Sequence, residues 1–276
     1  MAANSAPRRV LKRILHPFLN EHSYRYVQAA AMAWDIRSGK FIEPEMDLVP
    51  LAARPGETAL DLGANYGAYA YRLSKAVGPG GKVHAFEPVS FTNQTLRLVL
   101  KMLRVRNVEV HPQGCGEGPA RVSFRVPVQA SGAPASGLAY IGHRNDDHPG
   151  AEVQVRWDST REVPCDIVAI DEVLPGIEGV SFIKCDVEGA EILAFRGARG
   201  LVDRNRPTVL VEINPWYIEG FGLDLGELTG YFSGRGYGLY RYDERRLRPV
   251  HDPGEIIERN YLFIPPERLE RFQGVV

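Results

Sequence analysis

The 276-residue chain lacks a long uninterrupted apolar run, so no stretch of it reads as a transmembrane helix. Its first residues are basic but have no continuous apolar segment behind them, and so do not read as a signal peptide. Cysteine is scarce: Cys115, Cys165 and Cys185 are scattered, and no pair has zinc-finger or redox spacing. Reduced thiols in a cytoplasmic compartment are the expectation. Neither sign of charge dominates, with 33 Lys and Arg against 34 Asp and Glu. A nucleic-acid binder normally carries a marked basic excess, so no such partner is expected. Internal repeats are also missing. What is present is an apolar fraction of 44 %, enough for a sizeable core, in a length that suits one α/β domain with modest additions.

The chain is organised around residues 58–67, Thr-Ala-Leu-Asp-Leu-Gly-Ala-Asn-Tyr-Gly. Apolar residues lead into Asp61, and Gly63 and Gly67 bracket a turn through Ala64, Asn65 and Tyr66. A helical stripe of Tyr69, Leu73, Ala76 and Val77 follows. Buried strand, glycine turn and helix start form the first unit of a Rossmann-like nucleotide site. The helix N-terminus offers free N–H groups to an anionic ligand group. The spacing is Asp-x-Gly-x-x-x-Gly, whereas a dinucleotide fingerprint reads Gly-x-Gly-x-x-Gly. A carboxylate at position 61 would repel a pyrophosphate and would suit a ligand with a cationic amino group. S-adenosylmethionine has that charge.

A second strand, Lys82-Val-His-Ala-Phe-Glu-Pro88, ends in Glu87, where an acidic residue can accept both ribose hydroxyls. Pro88 ends the strand, Ser90 is placed to cap the next helix, and Leu96, Val99, Leu100 and Leu103 form its core face. A third motif, Phe182-Ile-Lys-Cys-Asp-Val-Glu-Gly-Ala-Glu191, precedes Phe195-Arg-Gly-Ala198 and the strand Pro207-Thr-Val-Leu-Val-Glu-Ile213. Together with the glycine turn and Ala85-Phe-Glu-Pro88, these segments resemble the FkbM family of S-adenosylmethionine-dependent methyltransferases, over about residues 41–242.

The resemblance implies a Rossmann-like class I methyltransferase fold. Its seven-stranded, mostly parallel sheet would carry helices on both faces, with the last strand antiparallel beside strand five. It implies methyl transfer, usually to oxygen, often on a sugar or polyketide-type acceptor; a glycan, a glycolipid or a secondary metabolite would fit. The cofactor set would be Asp61, Gly63, Ala64, Asn65, Tyr66, Gly67, Glu87, Pro88 and Asp186, with Gly114 and Cys115 bordering the adenine after strand three. Asp171 resembles the family's leucine-aspartate position ahead of strand four. Two other readings stay open. One is an NAD-dependent oxidoreductase, against which stand the missing Gly-x-Gly-x-x-Gly and the lack of a Tyr-x-x-x-Lys pair. The other is a non-catalytic module that binds S-adenosylmethionine.

Methyl transfer to an alcohol requires that the acceptor lose a proton, so a base or a metal must lie within hydrogen-bond reach. Ligands of open α/β sheets bind beyond the carboxyl ends of the strands. That places Asp186 and Glu188, after strand four, and Glu212 and Asn214, after strand five, around the transferred group. Asp186 is expected near the methionine end, with Glu188 or Glu212 as base. Asp186, Glu212 and Asn214 are also hard oxygen donors that would suit magnesium. Glu191 reads as support for a helix first turn.

Residues 1–54 are expected to form a helical extension packed on a methyltransferase domain of residues 55–276. Within it, residues 5–19 alternate basic and apolar side chains. They read as a short helix that packs on the domain or on a second subunit, or that touches an anionic inner membrane face. Tyr24, Tyr26 and Trp34 read as packing residues. Val122, Phe124 and Val126 mark a strand, and residues 128–160 a lid or acceptor-selecting insertion. Within that insertion, His143, Asp146, Asp147 and His148 read as solvated rather than metal-bound.

Overall fold

Strand β1 (Thr58–Leu62) is the fixed point of the main sheet. Ala59, Leu60 and Leu62 are fully buried, because β1 is covered on both faces and paired on both edges. In this computed structural model, which describes residues 20–128 and 159–275, its parallel neighbours are β2 (Lys82–Phe86) and β7 (Val180–Cys185). Beyond β2 lies β3 (Val108–His111), and beyond β7 lies β8 (Thr208–Ile213), both parallel. The antiparallel strand β11 (Arg259–Ile264) is inserted beside β8, and β9 (Gly238–Asp243) pairs with its far edge. The expected antiparallel last strand next to strand five is therefore present.

The sheet has eight strands rather than seven. The eighth, β10 (Arg246–Pro249), returns along β9 through a turn in which Glu244 and Arg245 both have positive φ. Its Arg-Leu-Arg-Pro sequence is too charged to read as a strand, which is how an outer edge resists further pairing.

Side-chain alternation along the strands creates two cores. Ala59, Phe182 and Leu210 face α2 (Val49–Ala52) and α3 (Ala68–Val77). Leu60, Ile183 and Val211 face α6 (Glu191–Arg196), α7 (Arg199–Asn205) and α9 (Leu225–Ser233). Helix α4 (Ser90–Met102) packs Leu96 and Leu100 on Ala85 and Val110. Ser90 does not cap it: Val89 holds the cap position and no side chain bonds there. Glu87 instead takes the Val89 N–H at 2.9 Å.

Helix α1 (Glu21–Arg37) lies on α4, with Ala29, Met32 and Ile36 against Val99, and Tyr24 stacked on Phe91. Tyr24 is buried as expected, whereas Tyr26 and Trp34 point outward, Trp34 being 67 % exposed. The stripe that packs begins at Tyr24 and runs through Gln28 and Met32, and the other two aromatics lie off it. Residues 5–19 lie outside the described residues.

A second sheet holds β4 (Gly114–Cys115), β6 (Ser159–Val168) and β5 (Ala120–Val128), with β5 and β6 antiparallel. Residues 129–158 connect the Val128↔Ser159 end of this hairpin. They lie outside the described residues, and with them most of the expected lid and its histidines. Between β6 and α7, the short helix α5 (Ile170–Val173) carries Asp171. That carboxylate accepts the Gly200 and Leu201 N–H groups, so it caps α7.

Candidate functional site

Backbone geometry at the carboxyl end of β1 shapes the site. Gly63 has φ +81°, and a Cβ there would lie 1.8 Å from the Asp186 carbonyl oxygen. The Gly63 and Ala64 N–H groups bond to Phe86 O, and Asp186 N–H bonds to Leu62 O at 2.9 Å. The glycine is thus what lets the β1 and β7 ends close on each other. Gly67, with φ +89°, holds the cap position of α3 against Leu96.

Two open cavities flank this crossing. The first, about 670 Å³, is lined by Glu87, Pro88, Val89, Gly114, Cys115, Phe124, Ile167, Val187, Glu188 and Ala190. The second, about 620 Å³, is lined by Ile36, Phe41, Glu43, Asp61, Ala64, Tyr66, Ala68, Tyr69 and Lys184. Gly63, Asn65 and Asp186 line both. Of the cofactor set expected from sequence, all but Gly67 therefore line one cavity or the other. Gly67 shapes the turn from beneath. Glu188, expected near the reacting centre, faces the first cavity with φ +57°.

In the first cavity Glu87 is locked in place. Its Oε2 accepts Asn65 N–H at 3.0 Å and its Oε1 accepts Val89 N–H at 2.9 Å. Each oxygen retains a lone pair for a ligand hydroxyl. Burial pushes this carboxyl up to about 7 despite those bonds. Cys115 is buried, and burial pushes its thiol up, so it acts as a small apolar wall. Phe124 and Ile167 come from the second sheet and close the cavity over the glycine turn. Glu191 accepts Gly189 N–H at 3.0 Å and Val187 N–H at 3.3 Å, holding the turn after Asp186. It supports that turn, in keeping with the structural role read for it.

The second cavity contains the charged groups. Asp61, Lys184 and Glu212 lie on one face of three adjacent strands, with Asp61 and Lys184 in register. Asp61 is 2 % exposed, and its Oδ2 has no hydrogen-bond partner. Burial pushes its carboxyl up to about 7, against the pull of Lys184. The Lys184 Nζ is 3.7 Å from Asp186 Oδ2 and 5.3 Å from the Tyr69 ring centroid. Burial works against its ammonium, but Asp186, Glu212 and Glu43 outweigh that and hold its pKa above the ordinary value. Tyr69 donates its hydroxyl to Glu43 Oε2 at 2.7 Å. Burial and the neighbouring Asp186 push Glu212 up to about 9. Glu212 therefore holds its proton at neutral pH, beside Asp186, whose Oδ2 faces Lys184.

Asn214 lines neither cavity, and its Oδ1 caps α8 (Pro215–Gly220) by accepting Trp216 and Tyr217 N–H groups. Sequence reasoning missed Lys184, Glu43, Phe124 and Ile167 as site residues. Lys184 carried a signal, being the one charge in a strand that is otherwise apolar but for Ser181.

A family model described as the methyltransferase FkbM domain matches residues 61–239, well over half of the chain. The chain belongs to the FkbM methyltransferase domain family. Methyltransferase 1 of Beauveria bassiana (strain ARSEF 2860) is 26 % identical over 168 residues, 57 % of this chain and 64 % of that protein. The crystal structure of methyltransferase FkbM from Methylobacillus flagellatus KT has a TM-score of 0.47 and 20 % identity, covering 87 % of this chain and 54 % of that one. A SAM-dependent O-methyltransferase from Thermotoga maritima has a TM-score of 0.43 and 12 % identity, covering 85 % and 71 %. The chain thus spans less than two thirds of the length of the first two. The FkbM match begins at Asp61 and so takes in the glycine turn, Glu87 and the Asp186 loop, but not α1 or Glu43.

The raised carboxyls of the FkbM site carry a stability cost. Glu212 holds a proton in the folded chain that the unfolded chain releases above about pH 4.3. Its contribution to stability is complete below that value and is lost as pH rises toward 9. Chemical denaturation at pH 7.0 and 8.0 should show stability falling by up to about 1.4 kcal/mol from this group. In Glu212→Gln that part of the slope should vanish. An equal slope in both proteins would place the proton elsewhere.

Proposed function

We propose that this chain is an S-adenosylmethionine-dependent O-methyltransferase acting on a hydroxyl of a sugar or glycan, a glycolipid or a secondary metabolite. One arrangement carries the proposal: two cavities that meet at Asp186, with the locked Glu87 carboxylate in one and the unpartnered Asp61 oxygen in the other. The residues present fit the cofactor. Glu87 would hold the ribose hydroxyls, and Phe124, Ile167 and Cys115 would enclose the base. Asp61 would meet the ammonium, a contact that would also favour its ionised form. A pyrophosphate would meet repulsion from that carboxylate, so the geometry favours this cofactor over a dinucleotide.

The cofactor supplies a methyl group on a sulfonium, which already has a good leaving group. The chain's own task is to position the acceptor, exclude water and take one proton. Asp186 would accept the hydroxyl proton at the junction of the cavities. Lys184, 3.7 Å from Asp186 Oδ2, would balance the charge there, with the raised Glu212 carboxyl beside the pair. The second cavity, open beside Ile36, Phe41 and Glu43, is the side from which the acceptor would enter.

Calorimetric titration with S-adenosylhomocysteine tests the cofactor. Micromolar binding is expected, weakened in Glu87→Ala by about 1–3 kcal/mol, as for a lost charged hydrogen bond. NAD should not compete. Absence of binding to the wild type would end the proposal. Binding without labelled methyl transfer to any of a panel of hydroxylated acceptors would leave a binding module.

A further inference from the structure

Outside the cofactor cleft, at the β2–β3 edge, two histidines and a carboxylate face one another. His84 and Glu109 are register partners, and His111 follows two residues along β3 on the same face. The His84 Nδ1 is 3.0 Å from His111 Nε2 and 3.8 Å from Glu109 Oε2. All three donor atoms lie within 4.8 Å of one another. Two ligands on one tetrahedral zinc, with bonds of about 2.0–2.1 Å, lie about 3.3 Å apart. The present spacing needs only small side-chain movements to reach that.

We propose that His84, Glu109 and His111 form a binding site for a divalent transition-metal ion of the zinc class. Two imidazoles and one carboxylate suit zinc or its neighbours, whereas magnesium and calcium prefer all-oxygen sets. The donors stand on two paired strands, so their separation is set by the sheet rather than by loops. His84 is buried and His111 is stacked on Phe86 at 4.3 Å, which limits the ring orientations. Burial lowers the pKa of both rings, that of His84 to about 4, so neither is charged at neutral pH. Between two neutral rings, one facing nitrogen carries the hydrogen and the other accepts it. Moving that hydrogen to the far nitrogen of its ring presents two lone pairs to the metal. Glu109 is half-exposed and reaches in from solvent, leaving a fourth position for water.

One feature opposes the metal. Lys82 Nζ is 2.6 Å from Glu109 Oε2, on the solvent side. It competes for the carboxylate, and its removal should therefore tighten binding. The site also touches the cofactor strand, because the His111 carbonyl accepts Glu87 N–H at 3.1 Å and Asn93 Nδ2–H at 3.2 Å. A bound metal would pin β3, the edge strand, beside the Glu87 carboxylate without entering the cleft.

The test is titration of the metal-free protein with Zn²⁺ against a chromophoric chelator, with Co²⁺ absorption as a second readout. Wild type should bind one equivalent and show an intense four-coordinate Co²⁺ band. His111→Ala and Glu109→Gln should each weaken Zn²⁺ by at least about tenfold and lose that band. Lys82→Ala should bind more tightly than wild type. Glu109 is at the surface, so Glu109→Gln and Lys82→Ala remain informative if His111→Ala fails to fold. Absence of wild-type binding would overturn the proposal. So would unchanged affinity in all three variants, which would place any bound metal on other side chains.

Discussion

Asp186→Asn should lower kcat for methyl transfer by about 10²–10⁴-fold, the range of a lost general base, while changing S-adenosylhomocysteine affinity by less than about tenfold. The asparagine is nearly isosteric, and the backbone bond from residue 186 N–H to Leu62 O is untouched. The shape of the junction therefore survives. What is lost is the carboxylate 3.7 Å from Lys184. An amide cannot take the hydroxyl proton. Glu212→Gln is the matched control, because it removes the neighbouring carboxyl while nearly keeping its size. Its kcat should stay within about tenfold of wild type. Single-turnover transfer of labelled methyl to a responding acceptor measures both variants. If Asp186→Asn kept its rate and Glu212→Gln lost it, the roles within the pair would be reversed. If neither changed, Glu188 would be the remaining carboxylate at the crossing.

This assignment differs from the sequence expectation, and the difference has a physical cause. Residue type and strand-end position put Asp186 near the methionine end of the cofactor and left Glu188 or Glu212 as base. Burial separates them. Burial and the charge of Asp186 push Glu212 up to about 9, so it keeps its proton at neutral pH and is a poor base there. Glu188 faces the first cavity through a positive-φ turn that no local pattern announces.

Legible features were those set by short stretches of chain. The turn at Gly63, the carboxylate ending β2 and the Asp186 loop each depend on a few consecutive residues. Strand β5 showed through its alternation. The features that escaped depend on distant contacts. Glu43 reaches the site through Tyr69 and Asn260, and Phe124 and Ile167 through a second sheet packed across Val89. Trp34 read as core because aromatics are usually packed, yet the face of α1 that meets α4 is set by Ala29, Met32 and Ile36.

Gly63→Ala should be the most damaging single substitution in the cleft, with a stability loss of about 2–5 kcal/mol from combined backbone strain and overpacking. It should also weaken S-adenosylhomocysteine by at least about 100-fold, or about 2.7 kcal/mol. The added Cβ would stand 1.8 Å from the Asp186 carbonyl oxygen and 2.9 Å from its carbon. Neither peptide can retreat cheaply. Gly63 N–H is bonded to Phe86 O at 3.0 Å, and Asp186 N–H is bonded to Leu62 O. Relief must break one of these bonds, and either break moves Asp186 or the Asn65 amide that holds Glu87. Gly56→Ala separates the two causes. Gly56 has φ +86°, close to the +81° of Gly63, but a Cβ there meets nothing within 4 Å. It should cost only about 1–2 kcal/mol, the left-handed penalty by itself, and leave ligand affinity unchanged. Chemical denaturation and calorimetry on the two variants make the comparison. Equal, mild losses would mean that the β1 and β7 ends are not held as tightly as these bonds imply. A large loss confined to Gly63→Ala would show that the glycine is there for the closeness of two strand ends, and only secondarily for its backbone angle.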